Sequence, residues 1–200
     1  MEIRREITDT VVKEIVGPCQ NPEYLDPDME EEFEVYKQAI KINPDDAKAH
    51  YDLGLAYGES IKWKKAIKSY KQAVRINPDY AEAHLELGIA YNITVKYKKA
   101  IKAFKESIRI DPDYAEAHFN LGDTYDETGK YEEAIESYKQ AVRINPDYAE
   151  AHYYLGVAYI DLNDEEELNE KLRDSALEQY EILKSLDPER ANELFDKIYE

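Results

Sequence analysis

The sixteen residues SYKQAVRINPDYAEAH occur twice in the chain, at positions 69–84 and again at positions 137–152. The two copies are identical and start 68 residues apart, which is twice 34. A duplication of this kind is either a structural part that is used repeatedly or a chemical element that is used repeatedly. The spacing of the surrounding residues distinguishes between the two.

A period of 34 residues extends well beyond the duplicated stretch. Proline, glycine, tyrosine, histidine and leucine each recur at this spacing, as Pro44, Pro78, Pro112 and Pro146; Gly54, Gly88, Gly122 and Gly156; Tyr57, Tyr91, Tyr125 and Tyr159; His50, His84, His118 and His152; and Leu53, Leu87, Leu121 and Leu155. Within one period, residues 81–92 and 97–110 each place apolar residues at helical spacing, which predicts two helices per unit. The duplicated stretch is therefore a structural joint between units.

Two residue types explain how one unit ends and the next begins. Asn-Pro-Asp or Asp-Pro-Asp closes the second helix, because the residue before a proline is pushed out of the helical region of backbone space. We expect the aspartate to cap the helix that follows. The recurring glycine lowers helix propensity, so we expect it to mark the close approach of a neighbouring helix.

This pattern resembles the tetratricopeptide repeat (TPR) family over about residues 47–188. The family's leucine–glycine pair and tyrosine are present, and its second helix is matched by Ala66, Ala100 and Ala134 with Tyr70, Phe104 and Tyr138. The resemblance implies an all-α fold, a right-handed TPR superhelix that stacks antiparallel helix pairs as an α-solenoid. Two features depart from the family: the histidines replace its first large aromatic residue, and Ile61 and Val95 stand where one unit has Gly129.

The repeat predicts how the chain is divided. Residues 1–46 form an N-terminal helix over 2–16 and a degenerate unit whose second helix covers 31–43; residues 47–80, 81–114 and 115–148 are TPR units; 149–188 is a TPR unit with an extended second helix; and 189–200 is a capping helix. Pro188 lies 42 residues after Pro146, so the fourth unit holds eight additional residues. We expect about two additional turns at the start of its second helix, capped by Asn163 or Asp164. The capping helix should bury Ala191, Leu194, Phe195 and Ile198.

Charge is unevenly distributed along the chain. The net charge is −18, yet residues 60–110 hold 12 basic and 4 acidic side chains and carry +8, which leaves −26 on the remainder. This balance argues against nucleic acid as a partner, because phosphate binding needs a broad basic surface. No apolar run is long enough to span a membrane, and the charged start MEIRREITDT does not resemble a secretory signal, so we expect a cytoplasmic protein. Cys19 is the single cysteine, so an internal disulfide cannot form and the redox compartment stays open.

By resemblance to the family, the first helix of each unit lines a concave groove that binds peptides. The family's usual ligand-facing positions correspond here to Tyr51, Asp52, Leu55, Glu59, Leu85, Glu86, Ile89, Asn92, Phe119, Asn120, Asp123, Asp126, Tyr153, Tyr154 and Val157. The same stripe also includes Lys48, Gly58, Glu82, Ile93, Glu116, Glu127, Glu150, Ile160 and Asp161. Its aromatic and acidic character suits a peptide with apolar anchors and positive charge. Some family members hold a chaperone's terminal carboxylate with basic residues, and the acidic stripe here argues against that role.

Catalysis, cofactors and metals find no support in the sequence. It holds neither a glycine-rich phosphate loop nor a serine nucleophile motif. One histidine per unit cannot converge on one metal ion, because neighbouring helices are about 8–10 Å apart and metal–nitrogen bonds are about 2 Å long. We therefore assign the histidines to packing and predict neither a cofactor nor a metal site.

The leading hypothesis is a non-catalytic scaffold that binds an unidentified protein or peptide partner in the groove. Two alternatives stay open. The lysines of residues 62–71 and 96–105 fall on second helices, and they suit either a solvated outer face or head-to-tail assembly with the acidic remainder of another copy. The identical duplication is also compatible with an engineered TPR scaffold.

Overall fold

The structure of the protein is a computed structural model that describes residues 27–163 and 169–199, with side chains described from residue 33 onward. The predicted N-terminal helix over residues 2–16 and Cys19 lie outside the described residues. Residues 164–168, which contain most of the acidic run at 161–167, lie outside them as well. The described part consists of helices joined by short turns, without a strand.

Ten helices are described, and from residue 47 onward eight of them form pairs as the repeat predicts. In chain order they are α1 (Pro27–Ile42), α2 (Ala47–Glu59), α3 (Trp63–Ile76), α4 (Ala81–Ile93), α5 (Tyr97–Ile110), α6 (Ala115–Asp126), α7 (Tyr131–Ile144), α8 (Ala149–Asp161), α9 (Glu170–Leu186) and α10 (Pro188–Tyr199). The predicted bounds of α4 and α5 agree with the observed ones to within one residue.

Each hairpin packs internally, and successive hairpins stack. Among the first helices, α2 contacts α4, α4 contacts α6 and α6 contacts α8, whereas no two second helices contact each other in the described part of the chain. A stack that is closer on one side than on the other curves toward the closer side. The first helices therefore line the inner, concave face and the second helices form the outer face, which confirms the predicted α-solenoid.

The repeated glycine allows the two helices of a hairpin to approach closely, as predicted. A Cβ atom on Gly122 would lie 2.7 Å from two carbon atoms of the Tyr138 ring, and Gly54 and Gly88 face the rings of Tyr70 and Phe104 in the same way. These three rings are among the largest fully buried side chains. No side chain fits between the helices at these positions.

The joint between units is held by two recurring hydrogen bonds. Asn77 Oδ1 accepts a bond from the Asp79 amide at 3.2 Å, and equivalent bonds form at Asp111 and Asn145. His84 Nε2 donates to the Pro78 carbonyl oxygen at 3.0 Å, and His50, His118 and His152 bond to their own prolines at 2.9–3.1 Å. The histidines therefore have the structural role that we predicted, since each one ties its helix to the preceding turn.

The prediction that the aspartate of Asn-Pro-Asp caps the next helix is wrong. Helix α2 is capped by Asp46, the residue after Asn43-Pro44-Asp45, which accepts a bond from the Ala49 amide at 3.0 Å. At α4, α6 and α8 the N-cap residue is Tyr80, Tyr114 or Tyr148, none of which makes a side-chain capping bond. The aspartate of Asn-Pro-Asp lies one residue too early, inside the turn that the asparagine stabilises.

Both ends of the solenoid differ in detail from the prediction. Helix α1 begins at Pro27, four residues before the predicted start at residue 31. Helix α9 begins at Glu170 behind the N-cap Asn169, so Asn163 does not cap it, and Asp164 lies outside the described residues. Its 17 residues exceed the 14 of α3, α5 and α7 by about one turn rather than two. On α10, Ala191, Leu194 and Ile198 are buried, whereas Phe195 is 40% exposed.

The fourth hairpin is closed differently from the other three. The side chain that faces Gly156 is Leu194 of α10, where the other units present an aromatic ring of their own second helix. Tyr180, which stands at the equivalent position of α9, contacts Phe195 instead, with ring centroids 5.2 Å apart. The last helix therefore packs directly on α8 and ends the stack.

Two hairpin turns contain backbone strain that substitution with glycine should remove. Ile61 and Val95 each have φ 57°, a left-handed conformation that costs a residue with a β-branched side chain about 1–2 kcal/mol. Gly129 adopts φ 70° at the same turn position, and the side chains of Ile61 and Val95 are 60% and 67% exposed. We predict that Ile61→Gly and Val95→Gly each stabilise the protein by about 0.5–1 kcal/mol after the larger chain entropy of glycine is subtracted.

Urea unfolding of the two variants measures this effect. Gly129→Val is the matched control, because it installs the same strain in the third unit and should destabilise the protein by a similar amount. Loss of stability in both glycine variants would show that the exposed side chains contribute contacts that outweigh the strain.

Candidate functional site

The inner face of the solenoid contains most of the residues that the resemblance selects. We define the inner face as the surface formed by α2, α4, α6 and α8 together with the tyrosine that precedes each of the last three. Glu59 is exposed, and eleven other predicted residues are half-buried, namely Tyr51, Asp52, Leu55, Glu86, Ile89, Asn92, Phe119, Asn120, Asp123, Tyr153 and Tyr154. These residues have surface that a ligand could contact.

Three predicted residues have almost no accessible surface. Leu85 is 1% exposed, Val157 is 4% exposed and Asp126 is 8% exposed. Leu85 belongs to the core cluster against which Tyr114 packs, and Val157 belongs to the cluster that α10 completes. The stripe therefore lies along the first helices, but neighbouring helices cover parts of it.

A row of tyrosines that sequence reasoning did not select lies along the inner face. Tyr80 packs against Tyr51 with ring centroids 5.0 Å apart, and Tyr148 packs against Phe119 at 5.1 Å. Tyr80, Tyr114 and Tyr148 are the helix N-caps described above, so the residue that starts each first helix also lies over the preceding one. Their spacing of 34 residues was the signal that could have identified them.

The densest aromatic cluster surrounds Phe119. Its ring lies 5.7 Å from that of Tyr138, 5.1 Å from Tyr148 and 5.8 Å from Tyr154. Tyr138 is fully buried and supports the cluster from the second helix, whereas Phe119, Tyr148 and Tyr154 are half-buried. The cluster is thus a preformed apolar surface with partly accessible rings.

Carboxylates are interspersed among these rings. Burial, together with the charges of Glu116 and Glu82, raises the pKa of Tyr114 to about 12. Burial likewise raises the pKa of Tyr148 to about 12, with the charges of Glu150 and Glu116 as smaller causes. The tyrosine hydroxyls therefore stay protonated at neutral pH, as hydrogen-bond donors beside fixed negative charge.

The basic side chains near this surface are engaged locally. Lys48 Nζ lies 2.7 Å from Asp52, one turn along the same helix. At the far end, Arg190 of α10 lies 2.7 Å from Asp187. Both pairs use aspartates, and the glutamates of the inner face form no ion pair within the described part of the chain. The surface is therefore predominantly negative.

Asp123 is the most perturbed of these carboxylates. Burial raises its pKa from the ordinary 3.8 to about 6, and the charges of Glu127 and Asp126 contribute in the same direction. The Asn92 side-chain amide donates a 3.0 Å hydrogen bond to Asp123 Oδ2 and partly opposes the shift. The hydrogen bond between these two consecutive first helices therefore positions the Asp123 carboxylate, whose ionised form is unfavourable because it is buried near other negative charges.

The outer face has the opposite character. Lys64, Lys68, Lys98 and Lys102 are exposed on α3 and α5. Other lysines of this face lie over the family tyrosines, as Lys65 over Tyr57 at 5.4 Å and Lys99 over Tyr91 at 5.7 Å. This agrees with the predicted basic outer face, which is partly stabilised by cation–π contacts.

Neither a membrane-spanning helix nor a group of metal ligands occurs in the described part of the chain. No helix in residues 27–163 or 169–199 is both long enough and apolar enough to cross a membrane. Within those ranges, no three histidine, cysteine, aspartate or glutamate side chains are grouped as metal ligands. A cleft of about 350 Å³ lies beside α1, lined by Ile40, His50, Leu53 and Tyr57 among others, and it includes none of the predicted binding residues.

The stacked hairpins and their curved inner face place the protein among the α-solenoids built from helix pairs. The model of the TPR repeat family matches residues 33–60, 62–92, 96–129 and 122–163, which together make up more than half of the chain. The protein therefore belongs to the TPR repeat family, as the sequence resemblance predicted.

Solved structures agree with this assignment. The crystal structure of MamA is 27% identical with a TM-score of 0.73, and the match covers 84% of this chain and 99% of that one. YrrB, a TPR protein with an unusual peptide-binding site, is 20% identical with a TM-score of 0.68 over 83% of this chain and 91% of its own. TTC0263, a thermophilic TPR protein of Thermus thermophilus, is 23% identical with a TM-score of 0.62 over 84% and 89% of the two chains. The likeness to YrrB and TTC0263 establishes the fold alone. A comparison with curated proteins gives no match.

The raised pKa of Asp123 predicts a stability that depends on pH. Because the folded-state pKa of about 6 exceeds the ordinary value of 3.8, the folded protein binds more protons than the unfolded chain between those values. Ionised Asp123 therefore destabilises the fold above pH 6, and the effect disappears as the pH falls toward 4. We predict that Asp123→Asn is more stable than the wild type by about 1–2 kcal/mol at pH 8.

Thermal unfolding between pH 8.0 and 5.5 measures this difference, which should shrink as the pH falls. Asp113→Asn removes an exposed carboxylate from the turn before the same helix and serves as the control, with a small difference that does not change with pH. A wild type that is more stable than Asp123→Asn at pH 8 would show that a favourable partner stabilises the ionised carboxylate.

Proposed function

We propose that the protein is a non-catalytic scaffold whose inner face binds a peptide segment with apolar anchors and positive charge. The observation that carries this proposal is the alternation of half-buried aromatic rings with carboxylates along a single face. Membership of the TPR family supports the role of an interaction scaffold. The inner-face chemistry supports the more specific statement about the ligand.

The aromatic part of the surface suits side-chain burial. The rings of Tyr51 and Tyr80 at one end, and those of Phe119, Tyr148 and Tyr154 further along, already contact one another before any ligand arrives. These rings would need little rearrangement when a peptide side chain packs on them. Binding would therefore lose little free energy to reorganisation of the protein. Aromatic residues held in this way are the usual energetic centres of protein interfaces.

The acidic part of the surface suits positive charge on the ligand. Glu82 and Glu116 are exposed on successive first helices, with Glu86 half-buried between them. Burial and the neighbouring charge of Glu116 raise the pKa of Glu86, so these carboxylates repel one another. A lysine or arginine of a bound peptide would relieve that repulsion, and the same charges would accelerate the encounter.

YrrB supplies a structural precedent for a peptide-binding site on a TPR protein. At 20% identity the likeness transfers the fold and not the ligand, so the proposal for this chain depends on its own inner face.

Fluorescence anisotropy with labelled peptides tests the proposal. A peptide array of basic and of acidic sequences, each with and without aromatic or aliphatic anchors, identifies the ligand class, and we expect basic peptides with anchors to bind. Phe119→Ala and Tyr51→Ala should each weaken the selected peptide by about tenfold, because each removes an anchor worth more than about 1 kcal/mol.

Tyr131→Ala, at the start of the outer helix α7, is the matched control and should leave binding unchanged. Affinities that are unaffected by both inner-face variants would exclude the inner face as the binding site, and selection of acidic peptides would exclude the proposed charge.

The charge segregation between the two faces favours one further candidate, head-to-tail assembly of copies. The exposed lysines of α3 and α5 would then contact the acidic inner face or the acidic C-terminal region of a neighbour. Light scattering at low and high salt distinguishes the two proposals: assembly through charge gives particles that dissociate in salt, whereas a peptide-binding monomer keeps its size.

A further inference from the structure

One position of the inner face differs chemically in the third unit. Leu55, Ile89 and Val157 occupy equivalent positions on α2, α4 and α8, and the third unit places Asp123 there. Asp123 is half-buried, so its carboxylate is removed from most solvent while part of the residue stays accessible. An apolar residue would satisfy the fold at this position, because three of the four units use one.

The groups around Asp123 provide acceptors and no compensating cation. Asn92 of α4 donates to Asp123 Oδ2, which leaves Asn92 Oδ1 buried and without a hydrogen-bond partner among the described residues. Glu127 lies at the end of α6 itself, and Glu150 of α8 is near enough to affect the titration of Asp123. No lysine or arginine of the described ranges forms an ion pair with Asp123.

A buried hydroxyl lies at the base of the same cluster. The Tyr138 side chain is fully buried, and its hydroxyl has no hydrogen-bond partner within residues 33–163 and 169–199. The Tyr138 ring lies against Gly122, the residue before Asp123. Burial raises the pKa of the hydroxyl, and the charges of Asp123 and Asp126 raise it further. In native structures an isolated buried polar group of this kind is uncommon, because leaving it unpaired is energetically unfavourable.

The first unit shows why this hydroxyl lacks an acceptor. There the equivalent tyrosine, Tyr70, reaches Glu86 of the next first helix at 3.5 Å. The residue equivalent to Glu86 beyond the third unit is Tyr154, and its ring stacks on Tyr138 with centroids 6.2 Å apart. The acceptor has thus been exchanged for an aromatic ring while a carboxylate has been added at position 123.

We propose that Asn92, Asp123 and Tyr138 form a subsite for an arginine side chain of the bound peptide. The inference rests on the proposed peptide-binding function and names the residue that this part of the inner face recognises. A guanidinium group has five N–H donors in a planar fork, so one edge of it pairs with the partly accessible Asp123 carboxylate. Asn92 Oδ1 and the Tyr138 oxygen are buried, so a small opening of the cluster would bring the remaining donors to these two acceptors. A lysine ammonium is a compact point charge and matches this spread of acceptors less well.

The surroundings of the subsite fit the rest of an arginine side chain. Ile89 and Phe119, both half-buried on the inner face, offer apolar surface for its methylene stem. The lysines of the neighbouring outer helices face away, since Lys105 and Lys130 lie over the Tyr125 ring at 5.6 and 5.7 Å. Competition from within the described chain is therefore small.

Binding should weaken as Asp123 becomes protonated. Its raised pKa of about 6 reflects burial and the facing charges of Glu127, Asp126 and Glu150, with Asn92 as the opposing hydrogen-bond donor. Tyr138 of α7 and Tyr154 of α8 also face the cluster, and the pKa of Tyr138 is raised further above its ordinary value. The affinity for a cation should fall about fourfold between pH 7.5 and pH 5.5, because about a quarter of Asp123 is ionised at the lower value.

Nuclear magnetic resonance titration with small probes tests the subsite apart from the aromatic anchors. The probes are the N-acetyl, N-methylamide derivatives of arginine, lysine and the uncharged arginine analogue citrulline. We expect saturable shifts at the backbone amides of residues 92 and 123–127 with the arginine probe, several-fold weaker binding of the lysine probe and no saturation with citrulline.

Two variants borrow residues from the second unit and should therefore fold. Asp123→Ile installs the residue at position 89 and should weaken the arginine probe at least tenfold, and Tyr138→Phe installs the residue at position 104 and should weaken it about threefold. Asp113→Asn, which removes an exposed carboxylate outside the inner face, is the control and should leave the affinity unchanged.

The subsite is refuted if the arginine probe causes no local shifts, if citrulline binds equally well, or if Asp123→Ile retains the affinity. Each of these results leaves the peptide assays with Phe119→Ala and Tyr51→Ala able to succeed. Failure of those assays together with a functioning arginine subsite would refute the peptide groove and not the subsite.

Discussion

The contact between a glycine of one helix and an aromatic ring of the next sets the geometry of the whole solenoid. Because a Cβ atom on Gly122 would overlap the Tyr138 ring, the two helices approach more closely than ordinary side chains permit. The same contact recurs at Gly54 and Gly88, so the first three hairpins have almost the same shape. Identical hairpins that stack with a constant rotation generate a curved face, and the inner face exists only because this packing is repeated.

The joint between hairpins converts that regularity into a surface. His84 ties the start of its helix to the Pro78 carbonyl, and the turn places Tyr80 at the N-cap. A tyrosine at this position has no capping bond to make, so its ring is available to lie across Tyr51 of the preceding unit. One short stretch of sequence therefore provides both a structural joint and an aromatic residue of the inner face, which explains why it is repeated without change.

The sequence predicts the features that local periodicity determines, and it does not predict the features that depend on packing between separate helices. Helix positions and the role of the glycines depend on local periodicity, and those predictions were confirmed. Burial of Leu85 and the packing of Leu194 on Gly156 depend on which helix comes next in space, which periodicity does not encode. The tyrosines that precede the first helices were overlooked because the family template covers those helices alone. Large aromatic residues that recur at the repeat period can lie on the inner face even when they stand in the turn before a helix.

A repeat protein also contains its own reference for judging unusual residues. At equivalent positions the units experience nearly the same packing, so a residue that all units share is explained by the fold. Asp123 departs from Leu55, Ile89 and Val157, and burial makes its charge costly where an apolar side chain would be stabilising. The fold does not require this departure from the residues of the other units, and the departure is energetically unfavourable. Functional sites retain unfavourable features of this kind. The differences between units, rather than the repeat that defines the family, are therefore the positions at which we expect a ligand preference specific to this protein.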